Sequence, residues 1–137
     1  MAPTEIERIA TLIDGAEGWK RVCGDGAERD FLHVVEVFSK WCGPSEAIVS
    51  TLKRLALDYQ GRKVKFLQIE ADEDIPEVAR FCKISRPHFL LFVNGEQLET
   101  VEGINAPMLE KFIHDTIPEG ILDIEDDGGA GDDDEED

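Results

Sequence analysis

The sequence predicts an α/β fold: a central mixed β-sheet flanked by helices on both faces. Three observations carry this. Two short runs, Phe31 to Phe38 and Phe89 to Val93, are rich in Val, Leu and Phe and suit strands buried on both faces of a sheet. Between them, Pro44 to Tyr59 places Ile48, Leu52, Leu55 and Leu57 at roughly helical spacing, with Gly61 as a stop signal. Asn94-Gly95 then separates Phe89–Val93 from Gln97–Val101, as in a tight antiparallel hairpin.

The remaining elements follow in chain order. Ile6 to Ile13 reads as either a strand or a helix, and Ala16 to Cys23 as a helical turn or two around Trp19. Val64 to Ile69 alternates like a strand, and Asp74 to Phe81 suits a short helix opened by acidic residues. Asn105 can cap a last helix with Pro107 in its first turn, turning Met108, Leu109, Phe112 and Ile113 to the core and fading near Pro118. Right-handed crossovers between parallel strands place helices on both faces.

A chain of 137 residues with 42% hydrophobic content fits one domain, assigned to residues 1–120. The formal charge of −17 is uneven. Asp123 to Asp137 holds ten acids and no base, leaving 21 acids against 14 bases, a balance of −7, in the first 122 residues. Residues 121–137 therefore read as an acidic, disordered tail, either solubilising or docking a basic protein. No basic face for nucleic acid is evident, and no apolar run approaches the ~20 residues that span a bilayer. Three cysteines, Cys23, Cys42 and Cys82, at unrelated spacings and without a secretory leader point to free thiols in a reducing, cytoplasmic setting. His33, His88 and His114 are too scattered to form a metal site with them, so no metal and no cofactor is expected.

The chemistry concentrates at Trp41-Cys42-Gly43-Pro44-Ser45. A strand running straight into a helix puts Cys42 at the helix N-terminus, where unpaired N–H groups and the helix dipole favour a thiolate. Cys42 is thus a candidate nucleophile; the plainer reading is a small cysteine filling space. Ser45 stands where a second cysteine would resolve a mixed disulfide, and a hydroxyl cannot do so. Cys82, ending the short helix, is a candidate surrogate thiol, although Cys82 and Cys23 read first as packed cysteines.

The strand, Trp41-Cys42-Gly43-Pro44 and the downstream Pro87 with Asn94-Gly95-Glu96 resemble the thioredoxin family over roughly residues 6–116. The resemblance implies a thioredoxin fold and a cis Arg86-Pro87 bond beside Cys42, where an extended peptide could pair with the backbone of Arg86. Trp41, Gly43, Pro44, Arg86, Pro87 and His88 are then the binding residues. Arg86 and His88 depart from the small or apolar residue and the threonine usual in the family. Arg86 either reaches the thiolate, reshapes the peptide groove or points to solvent. Glu36, six residues before Cys42, aligns with the family's buried aspartate, a general acid or base for the resolving cysteine. With Ser45 in place that work is missing, so Glu36 reads mainly as a structural residue paired with a lysine such as Lys40 or Lys65.

Within the family, Val93-Asn94-Gly95-Glu96 and Glu102-Gly103-Ile104-Asn105-Ala106-Pro107-Met108-Leu109 resemble the thioredoxin domains of ciliary proteins, among them outer-arm dynein light chains. This implies a subunit docking on a dynein heavy chain or another axonemal protein, through the face around Cys42 and Pro87 or through the tail. The alternative is a monothiol thiol-disulfide oxidoreductase or isomerase, in which an external thiolate attacks the mixed disulfide at Cys42.

Overall fold

The computed structural model describes residues 9–40 and 48–121. Five strands form one sheet: β1 (Thr11–Leu12), β2 (Leu32–Phe38), β3 (Val64–Glu70), β4 (His88–Val93) and β5 (Glu96–Glu102), in the order β1-β3-β2-β4-β5. Among the described residues four helices accompany them: α1 (Gly15–Trp19), α2 (Val49–Asp58), α3 (Pro76–Ala79) and α4 (Ala106–Thr116). β2 runs parallel to β3, through a crossover containing α2, and antiparallel to β4. The expected mixed sheet is therefore present.

All seven residues of β2 are buried because the strand has a neighbour on each edge and a helical layer on each face. Leu32 and Val34 pack with Leu52 and Leu55 of α2 and Leu109 and Ile113 of α4. Val35 and Val37 pack with Trp19 of α1, Val78 of α3 and Phe81. The Trp19 ring meets Phe92 edge-on at 5.3 Å and donates Nε1–H to Glu77 Oε1 at 3.0 Å, satisfying its one polar atom.

The opening segment resolves as a two-residue strand, Thr11–Leu12, parallel to β3, while residues 1–8 lie outside the described part. The hairpin turn takes positive φ at Asn94 (53°) and Gly95 (85°), the backbone that Asn-Gly is suited to adopt. At α4, Asn105 Oδ1 accepts from Met108 N–H at 3.2 Å, the expected N-cap.

Three expectations change. Leu57 is 68% exposed, because the buried stripe of α2 passes through Ile48, Leu52 and Leu55 and continues on Ala56 and Tyr59. Met108 is also exposed, one position ahead of the buried Leu109 and Ile113 pair. The helix expected over Asp74 to Phe81 shortens to Pro76–Ala79, where Pro76 fits the first turn and Ile75 before it is extended.

Candidate functional site at the carboxyl end of β2

The site is framed by two strand ends. β2 carries the chain through Phe38, Ser39 and Lys40 towards residues 41–47, and Ile48, fully buried, marks its return to the core ahead of α2. Val37 pairs with His88 in antiparallel register, so Arg86 and Pro87 enter β4 at this same end of the sheet. Trp41, Cys42, Gly43, Pro44 and Ser45 lie outside the described residues.

Around Pro87 the structure differs from the implied geometry. Every peptide bond among the described residues is trans, Arg86-Pro87 included, the form that X-Pro bonds favour in the absence of a specific constraint. The Pro87 carbonyl accepts from Gly103 N–H at 2.7 Å, tying the entry of β4 to the exit of β5. Arg86 is mostly exposed and its guanidinium pairs with the Glu102 carboxylate on β5, so it lies along the sheet edge. His88 is instead buried: its ring lies 4.5 Å from that of Phe81, and its Nδ1 is 3.3 Å from the Arg86 carbonyl.

Glu36 is buried on the side of β2 that faces α2 and α4. Its Oε1 accepts from Gln68 Nε2 at 3.1 Å, between residues in parallel register. Lys65, considered above as a partner, points to the opposite face in register with His33 and holds Glu28 at 2.7 Å. Gln68, and not Lys65, thus holds the register position opposite Glu36. The signal was present in the sequence as a lone glutamine within the alternating β3.

The two other cysteines are both half-buried and free. Burial pushes the Cys23 thiol up, and neighbouring Glu77 adds to the rise. Burial likewise raises Cys82, with Glu73, Asp72 and Glu70 acting in the same direction. Cys82 lines a cavity of about 650 Å³ together with Lys40, Glu70, Asp72 and Glu73. That places a thiol near the chain leading to Cys42, but in surroundings that hold its proton. Among the described residues no group of three His, Cys, Asp or Glu side chains could hold a metal ion, and no helix is long and apolar enough to cross a membrane.

This frame, a mixed sheet of order β1-β3-β2-β4-β5 with a proline entering the antiparallel strand beside the central one, is that of a thioredoxin fold. The thioredoxin family model matches residues 20–115, and the chain belongs to that family. It is 39% identical over 82 residues to the 14 kDa light chain of the flagellar outer-arm dynein of Chlamydomonas reinhardtii, covering 60% of this chain and 63% of that one. It is 35% identical over 101 residues to the 16 kDa light chain of the same arm, covering 72% of this chain and 62% of that one. The chain thus spans somewhat under two thirds of the length of these relatives. The crystal structure of thioredoxin from Trypanosoma brucei brucei superposes with a TM-score of 0.59 at 25% identity, covering 79% of this chain and 90% of that one.

Proposed function

We propose that this chain is a thioredoxin-fold light-chain subunit that docks on an axonemal dynein heavy chain or a related ciliary protein. The observation that carries this reading is its likeness to two outer-arm dynein light chains, at 39% and 35% identity. Its place is then the axoneme of a cilium or flagellum. The domain is residues 1–120, and the acidic segment 121–137 offers a second contact for a basic partner.

Local chemistry favours docking over dithiol turnover. Ser45 cannot resolve a disulfide at Cys42, and the Cys23 and Cys82 thiols are both held protonated by their surroundings. Arg86, tied to Glu102 beside Pro87, presents a charged edge to a partner. In this reading Trp41, Gly43, Pro44, Arg86 and Pro87 contribute to a binding surface, His88 supports it from the core, and Glu36 is structural.

Affinity purification of the tagged chain from flagellated cells, followed by mass spectrometry, tests the assignment. Dynein heavy chain should be recovered under reducing conditions and with Cys42→Ala as well as with the unaltered chain. Recovery of partners only through a Cys42-dependent, reductant-sensitive link would replace docking by covalent trapping.

The second reading, a monothiol exchange activity, rests on the Cys42-Gly43-Pro44-Ser45 sequence itself. Cys42 thiolate would attack a target disulfide, forming a mixed disulfide and releasing one target thiolate; an external thiolate then attacks Cys42 Sγ or the target sulfur. Insulin reduction with dithiothreitol at the rate of a two-cysteine thioredoxin would favour this reading.

A further inference from the structure

β5 is an edge strand: β4 covers one side, and among the described residues no strand pairs with the other. Gly103 N–H donates to the Pro87 carbonyl at 2.7 Å, so in the antiparallel ladder the backbone groups of Val101 and Glu99 turn to β4. Those of Thr100 and Glu102 point outward, away from the sheet. The bulge that leaves Leu98 without a cross-strand partner disturbs the ladder only near the turn, and Glu99–Glu102 stays regular.

The surroundings select what can fill that edge. Val101 is buried on the face that α4 covers, and the half-buried Glu99, two residues before it, shares that face. Lys111 on α4 is raised by its 2.9 Å contact with Asp115 and, less strongly, by Glu99, which sets this flank of the helix beside β5. Met108, one turn earlier on the same flank, offers exposed apolar surface there. Glu102 is matched by Arg86 and Lys111 by Asp115, whereas Glu96 and Glu99 make no hydrogen bond or ion pair among the described residues. The edge therefore carries uncompensated negative charge. A second copy of this chain is a poor occupant, because β5 has three glutamates and no base, and self-pairing would set like charges opposite one another. The same repulsion opposes the acidic residues 123–137.

We propose that the free edge of β5 takes up an extended basic segment of a partner protein as an added strand. Thr100 and Glu102 exchange backbone hydrogen bonds with it, an apolar side chain opposite Val101 packs beside Met108, and a lysine or arginine two residues away meets Glu99. This adds a surface to the docking proposed above and rests on that reading only in requiring a protein partner, whether dynein or not.

Nuclear magnetic resonance titration of the full chain with the capped peptide Thr-Lys-Thr-Val-Thr-Lys-Thr tests this; its sequence reads the same in both directions, so either strand direction is sampled. The comparison probes are the same peptide with glutamate in place of lysine, and one N-methylated throughout, which has no N–H to donate. The lysine peptide should shift the Thr100 and Glu102 amide signals saturably and slow their hydrogen exchange, and bind about tenfold more tightly than either comparison probe. The double variant Glu96→Gln, Glu99→Gln alters surface side chains and should weaken the lysine peptide about fivefold, narrowing its advantage over the glutamate peptide. Equal binding of the lysine and glutamate peptides, undiminished binding after N-methylation, no saturable shift from any probe, shifts confined to other surfaces, or full retention of binding in the double variant would each overturn the proposal. None of these results bears on whether dynein heavy chain is recovered in the purification above, so the two readings fail separately.

Discussion

Glu36 on β2 and Gln68 on β3 face one another in parallel register, and Gln68 Nε2 donates to Glu36 Oε1 across 3.1 Å within the core. The neighbouring strand supplies this buried acidic side chain with a donor at the same height, which offsets part of the cost of enclosing it. Gln68→Leu removes that donor while keeping the apolar bulk. Urea denaturation should show a loss of about 1–3 kcal/mol. A change below about 0.5 kcal/mol would mean that the pair contributes little to stability.

His33 ties stability to pH. Burial holds its imidazole below the ordinary value of 6.5, so below that pH the unfolded chain binds a proton that the folded chain resists. Its contribution is therefore complete above 6.5 and is lost as pH falls from 6.5 towards the lower, folded-state value. The test compares the urea midpoint between pH 7.5 and 5 in the unaltered chain and in His33→Leu. The variant should show the shallower decline; parallel curves would remove His33 as the cause.

The turn of the β4–β5 hairpin should tolerate no side chain at Gly95. A Cβ there would lie 2.2 Å from the Gly24 carbonyl oxygen, and φ is +85°. Gly103, at φ +74°, has nothing within 4 Å of the same position. Gly103→Ala should cost only the left-handed backbone term of about 1–2 kcal/mol. Gly95→Ala should cost clearly more, because the Gly24 N–H to Gly95 carbonyl bond at 3.0 Å must also shift. Equal thermal midpoints for the two variants would contradict the close approach.

Cys23 and Cys82 should be slow nucleophiles. Burial and neighbouring carboxylates raise both thiols, so little thiolate exists near neutral pH. In Cys42→Ser, iodoacetamide labelling followed by mass spectrometry should be slower at pH 7.5 than for a free cysteine and should accelerate as pH rises above 9. Rapid labelling of Cys82 at pH 7.5 would revive it as a resolving thiol.

Local signals translated directly where the backbone alone decides. Asn94-Gly95 supplied the two positive-φ residues of the turn, and Asn105 supplied the side-chain cap of α4. The two Val-, Leu- and Phe-rich runs became the paired strands β2 and β4. Errors arose where neighbours decide. Leu57 carries the same apolar label as Leu55 but points about 200° around the helix from it, and only the position of the sheet tells which of the two is covered. Lys65 and Gln68 were both within reach along β3 from Glu36, yet strand parity and register put the lysine on the far face.

By itself the sequence determined the alternation of strands and helices, the hairpin and cap, and a Cys-Gly-Pro-Ser sequence with one sulfur, because each depends on covalent chemistry or on residues near in the chain. Tertiary structure alone decided that Gln68 partners Glu36, that Arg86 turns to Glu102 while His88 goes inward, and that His33 comes to line a cavity with Arg21. Those pairings join residues distant in the chain. They arise from parallel and antiparallel register and from which face each helix covers, quantities that no local pattern contains.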